Sequence, residues 1–136
     1  MTSNLLDPWN SAAEIAKRLS MPNSHLVVIL GALRWCQKCR DLYPEFEALA
    51  SQQSASHLTM LWLDLEDHAE FIGDFTPDDL PLLLVYHGAL LRMMRYIPAQ
   101  TTIEAMMASL QRTDQVPASS DPGIRQRLLQ TDWASS

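Results

Sequence analysis

Cysteine is nearly absent: the 136-residue chain carries two. That excludes a disulfide-stapled secreted scaffold. Basic charge is also in short supply, with 16 acids against 10 bases and a formal net charge of −6. A protein that binds nucleic acid over its whole surface shows the opposite balance, so no nucleic-acid partner is expected. Long apolar runs are missing. The longest are residues 26–33, interrupted by Gly31, and residues 80–86. Both fall far short of the roughly 20 residues a membrane span needs. Residues 1–20 have no basic start followed by an unbroken apolar run, so they do not read as a signal peptide. The expected compartment is the cytoplasm, without membrane attachment. Thiols stay reduced there, so the two cysteines are more readily catalytic, metal-binding or incidental than structural.

What is present argues for one folded domain. Apolar residues make up 47% and charged residues 19%, which excludes intrinsic disorder. A chain of this length buries about two-thirds of its unfolded surface, so it needs neither metal nor disulfide to fold. No internal repeat is visible. Asp7 and Pro8 suit a helix start, and Ala12, Ile15, Ala16 and Leu19 recur at helical spacing. Residues 25–31 (HLVVILG) read as a buried strand. Cys39, Leu42, Tyr43, Phe46, Leu49 and Ala50 then share a helix face. Residues 58–63 are a second strand, and 64–75 are acidic and weakly helical, with Ala69, Phe71, Ile72 and Phe75 apolar. Residues 82–86 and 90–96 form a hairpin around His87-Gly88. Ile103, Met106, Met107 and Leu110 mark a last helix. The predicted domain is 1–112. Residues 113–136 read as a polar linker and tail, frayed or carrying a short helix at 124–130. The methionines Met60, Met93, Met94, Met106 and Met107 read as core filling.

The segment Trp35-Cys36-Gln37-Lys38-Cys39-Arg40 carries the chemistry. A strand ends just before it and a helix starts at it. Cys36 lies at the positive end of that helix's dipole, and Arg34, Lys38 and Arg40 are the cations expected to tune it. Such settings lower a thiol pKa below the free value of about 8.5 and make the sulfur a nucleophile. Cys39, one turn further in, can resolve a mixed disulfide. A lone CxxC is also half of a zinc site. There is no second cysteine pair, and His25, His57, His68 and His87 are scattered without ligand spacing, so no metal is expected.

Residues 26–110 resemble the thioredoxin family. Trp35 precedes the CxxC pair, Pro44 lies five residues after Cys39, and Leu80-Pro81 leads into an apolar strand and Gly88. The resemblance implies an α/β fold: a thioredoxin-like three-layer sandwich whose central, mixed four-stranded sheet is flanked by helices. The family's first strand is either missing or reduced to a short fifth strand at residues 4–6. It implies a thiol–disulfide oxidoreductase acting on protein disulfides, with Cys36 attacking and Cys39 resolving. Trp35 would then wall the sulfurs, Leu80 would offer backbone to an extended substrate, and Pro81, in a cis bond, would shape the groove. Partners are disulfide-bearing proteins and a reductase or other electron donor. No cofactor is implied, and a monomer is expected.

The sequence departs from the family at several points. Lys38 replaces the proline usual between the cysteines. By ungapped count, the family's buried carboxylate and its lysine partner fall on Leu30 and Trp62, so an apolar pair is expected there. The glycine near the last strand's end falls on Tyr96 or Ile97. The seven acids from Asp64 to Asp79, without Lys or Arg, read as a solvated helix face. The alternative, if the family geometry holds, is that Asp78 and Asp79, directly before Leu80-Pro81, form an acidic lip opposite the basic CxxC rim. These departures keep a second reading open: a thioredoxin-fold adaptor or assembly chaperone with a peripheral dithiol.

Overall fold

The structure, a computed structural model, describes residues 11–21, 24–52, 58–73, 75, 77, 79–98, 101–109 and 116–129. Helix α1 (Ala12–Leu19) leads into strand β1 (His25–Gly31) and helix α2 (Gln37–Ser51). Strand β2 (Leu58–Asp64), the single turn α3 (Ala69–Ile72) and strands β3 (Leu82–His87) and β4 (Leu90–Tyr96) follow. Helix α4 (Ile103–Ala108), a 3₁₀ turn (Ala118–Ser120) and helix α5 (Ile124–Leu129) complete the described chain. The sheet order is β2-β1-β3-β4. β1 and β2 are parallel, and the other two pairs are antiparallel. The parallel pair needs a crossover, and α2 supplies it. Gly88, at φ 59°, turns β3 into β4. Among the described residues, no helix is long and apolar enough to cross a membrane.

Two core clusters sandwich the sheet. On one face α2 and α4 pack on alternate strand residues: Cys39, Leu42, Phe46, Ile103 and Met106 meet Val27, Ile29, Met60, Trp62, Leu83 and Met93. On the other face Ile15 and Leu19 of α1, Phe71 of α3, and Ile124 and Leu128 of α5 meet Leu26, Val28, Leu30, Leu61, Leu63 and Tyr86. Met60, Met93 and Met106 fill core space, as expected. The α1 start expected at Asp7-Pro8, the strand residues 4–6, and Leu110 and Asp78 lie outside the described residues.

Two expectations change. The helical stretch expected over 64–75 is one turn of four residues, with only Phe71 and Ile72 buried. Leu30 and Trp62 do not form a pair. Ile29 is the register partner of Trp62 and Leu30 that of Leu63. Leu30 therefore faces α1 and α5, while Trp62 faces α2 and the cysteines. Side chains alternate along a strand, so a one-residue offset changes the face.

The residue under Trp62 is Gly31. A Cβ there would lie 2.4 Å from Trp62 Cζ2. The indole cannot step aside easily, because Tyr43 meets it edge-on at 5.0 Å and Phe46 lies 6.4 Å away. Gly31→Ala should therefore destabilise the fold by about 1–3 kcal/mol, the usual range for overpacking. An unchanged urea midpoint would show that the indole relocates freely.

Segment 116–129 is tied to the sheet. The Val116 N–H donates to Leu91 O at 2.8 Å. The Tyr86 hydroxyl donates to Asp121 Oδ1 at 2.6 Å, and that oxygen also accepts from the Gly123 N–H at 2.8 Å. Burial, with the Asp121 carboxylate beside it, keeps the Tyr86 phenol protonated above its usual range. Arg125 donates to Leu19 O, and Arg127 to Pro122 O and Ile72 O.

Candidate active site

The end of β1 fixes the site. After Gly31 the chain passes the buried Ala32, turns, and enters α2 with Cys36 as the N-cap in extended backbone (φ −108°, ψ 107°). The Cys36 N–H donates to Ala32 O at 3.0 Å. Cys36 Sγ accepts from the Cys39 N–H at 3.2 Å. The sulfur thus takes the place a Ser or Asp oxygen takes at other helix starts, in line with the exposed amide dipoles. Pro44 lies inside α2 and removes the amide that would have bonded Arg40 O, yet the helix continues to Ser51.

The two thiols are unlike each other. Both are unbridged; Cys36 is half-buried, and Cys39 is fully buried. Burial pushes the Cys39 thiol up to about 12. The hydrogen bond with Cys36 and the charges of Cys36 and Asp64 add to that rise, and the Ala32 backbone opposes it.

Asp64 is the buried carboxylate near the cysteines that sequence reasoning missed. It sits at the end of β2 opposite Gly31 and is 5% exposed. Its Oδ2 accepts from the Leu33 N–H at 3.0 Å and its Oδ1 from the Glu66 N–H at 3.0 Å. The Asp64 N–H donates to His68 Nδ1 at 2.9 Å. A buried carboxylate is tolerated when both oxygens are bonded in this way. The result is a clamp that joins the β2 exit to the loop before Cys36. Alternation from Trp62 was the available signal, but the acidic run after it read as a solvated surface.

The three expected tuning cations point in different directions. Arg40 donates to Leu33 O, Arg34 O and Gln37 Oε1, and so staples the loop before the dithiol. Arg34 pairs with Glu66 at 3.4 Å on the surface. Lys38 reaches across to β4, donates to the Tyr96 hydroxyl, and lies 5.0 Å from the Tyr96 ring centroid. The bond to Tyr96 keeps its ammonium charged above the usual range, with Cys36 and Asp79 adding to the effect. Asp79 is thus close enough for its charge to act on Lys38. Tyr96, noted in the sequence only as a replaced glycine, is the anchor of Lys38.

The remaining site residues come together at the same end of the sheet. The Leu80-Pro81 bond is cis. Leu80 and Cys36 both pack against the cluster that holds Cys39. Pro81 is buried, and its carbonyl accepts from the Ile97 N–H at 3.0 Å. Trp35 is 63% exposed. A cleft of about 130 Å3 opens between Lys38, Asp41 and Glu45 of α2 and the pair Pro81 and Pro98.

A model of one family, thioredoxin, matches residues 10–110, most of the chain. The chain belongs to the thioredoxin family. Solved structures agree on the fold at low identity. A chain of the complex of ferredoxin:thioredoxin reductase and thioredoxin f2 superposes with a TM-score of 0.55 at 13% identity, covering 79% of this chain and 94% of that one. Thioredoxin O2 from Arabidopsis thaliana in its oxidised state gives 0.51 at 19% identity, covering 74% and 90%. A mutant thioredoxin from Halobacterium salinarum gives 0.50 at 16% identity, covering 69% and 78%. No curated protein matches the sequence. This thioredoxin-family chain keeps the family's vicinal cysteines and cis-proline, and its dithiol face carries Trp62 and Asp64.

Proposed function

We propose that the chain is a thiol–disulfide oxidoreductase acting on protein disulfides, with Cys36 as the attacking and Cys39 as the resolving thiol. The observation that carries this reading is the asymmetry of the pair: a half-buried sulfur capping a helix, 3.2 Å from the amide of a fully buried thiol held up to about 12. The first sulfur is reachable, and its helix favours negative charge. The second stays protonated until the first has reacted.

The Cys36 thiolate attacks one sulfur of a substrate disulfide. A new S–S bond forms, and the other substrate sulfur leaves as a thiolate that takes up a proton. Cys39 then loses its proton and attacks Cys36 Sγ. The second substrate thiolate leaves, and the chain holds the Cys36–Cys39 disulfide. Two electrons have passed to the substrate, and a reductase or other dithiol donor must return them. One neighbour in fold was solved together with such a reductase. Trp35 walls the sulfurs, Leu80 and Pro81 shape the strand-like groove, Lys38 supplies the nearby charge, and Arg34 and Arg40 hold the loop. A reducing compartment such as the cytoplasm suits a donor-driven cycle.

A Cys39→Ser variant tests the assignment. Incubated with oxidised insulin, it should accumulate an adduct linked through Cys36, visible by mass and removed by dithiothreitol. The doubly substituted Cys36→Ser, Cys39→Ser protein should accumulate none. An adduct that forms as readily on Cys39 in Cys36→Ser would reverse the roles. No adduct in either single variant would leave the adaptor reading in place.

A further inference from the structure

The cleft beside Pro81 has a charge of its own. Lys38, Asp41, Leu42 and Glu45 all line it from α2, at the three- and four-residue spacings that share one helix face. Its floor is apolar, from Leu42, Pro81 and Ile97. The Lys38 ammonium is engaged by the Tyr96 hydroxyl and ring, whereas the two carboxylates have no cation bonded to them among the described residues. Asp41 and Glu45 are exposed carboxylates, and among the described residues Asp41 accepts from a neutral donor, the Gln37 side-chain amide at 2.8 Å. An apolar floor with two carboxylates on one wall suits a long aliphatic side chain that ends in a cation. The space of about 130 Å3 admits the outer part of such a side chain, since one water takes about 30 Å3 of liquid volume.

We propose that this cleft is a specificity pocket for a lysine or arginine close to the substrate's reactive cysteine, held against Asp41 and Glu45. The pocket rests on the oxidoreductase reading for its substrate and on its own geometry for the charge. Cys36 begins the same helix two residues before Lys38, and Pro81 borders both the groove and the pocket. A substrate strand on Pro81 therefore presents a neighbouring side chain to the α2 wall. The acids select among disulfides; they take no part in the exchange of sulfur bonds.

Three disulfide peptides that differ only in Arg, Gln or Glu next to the cysteine test the pocket. The Arg peptide should be reduced with a kcat/KM about fivefold above that of the Glu peptide, the scale expected for exposed ion pairs. The Asp41→Asn, Glu45→Gln double variant should bring the ratio to about one, and so should salt at about 0.5 M, where the screening length is a few ångströms. Equal rates on wild type, or a ratio that survives the double variant, would overturn the pocket. Binding of the same peptides with serine for cysteine, followed by amide NMR shifts, separates the two readings. If no peptide is reduced, the oxidoreductase reading falls. The serine analogues still decide the cleft: a stronger response of residues 38–45 to Arg than to Glu sustains it, and equal or absent responses refute it.

Discussion

Replacing Cys36 with serine should reduce the turnover of insulin disulfides to the rate given by dithiothreitol alone. The reason is positional. Cys36 Sγ is the sulfur that caps the start of α2 and is partly open to solvent, whereas Cys39 has no exposed surface from which to meet a protein disulfide. A serine hydroxyl can keep the helix cap, because it accepts from the Cys39 N–H as the sulfur does. The fold should therefore survive, and the loss should be chemical. Unchanged circular dichroism together with lost activity is the expected pair of results. Turbidity curves that superpose on the wild type would sink the dithiol mechanism and favour the adaptor reading.

The second step should depend steeply on pH. At pH 7 a thiol held near 12 is ionised in about one molecule in 10⁵, and each pH unit raises that fraction tenfold. Resolution should therefore be slow beside the first attack at pH 7 and climb roughly tenfold per unit towards pH 10. In the mixed disulfide Cys36 carries no charge, so its contribution to the rise is gone. Burial is the largest cause and remains. Trp62 cannot relieve it: an indole N–H takes no proton, and its Nε1 has no partner among the described residues. Leu30→Asp should not help either, because that side chain faces α1 and α5 rather than the cysteines. Asp64→Asn separates the two roles open to the nearby carboxylate. Removal of a charge that raises the Cys39 pKa should speed resolution at pH 7 severalfold, whereas a slowdown would make Asp64 the proton acceptor. Stopped-flow separation of the two steps reads all of this. A rate that is fast and flat from pH 6 to pH 9 would show that Cys39 is not limited by its own ionisation.

The strands, the crossover helix and the dithiol at their junction were legible in the sequence because they depend on local period and spacing. The β1 run HLVVILG is apolar throughout, and that marks a strand buried on both faces. The same feature hid the phase: with no polar residue in alternation, nothing said that Ile29 and Gly31, not Leu30, face the cysteines. Asp64 was hidden by its neighbours, since six further acids follow it before Leu80. Its burial depends on the amides of Leu33 and Glu66, one of them 31 residues away in sequence. Helix α5 is only one of two alternatives from the sequence, because three apolar residues, Ile124, Leu128 and Leu129, weigh little without their docking site. The Tyr86–Asp121 bond spans 35 residues and has no local signature. The Lys38–Tyr96 contact was out of reach for the same reason, as it joins positions 58 apart.

The docking of α5 sets a mechanical condition on the last part of the chain. Ile124 and Leu128 are core residues, and Asp121 holds a buried phenol, so this stretch is anchored at several points rather than trailing. A tether must be free to move without loading the body it hangs from, and this one is not. Force applied beyond residue 129 would pass straight into the layer shared by α1, α3 and the sheet. Cys39 and its cleft lie on the opposite face, so the sheet stands between any such load and the dithiol.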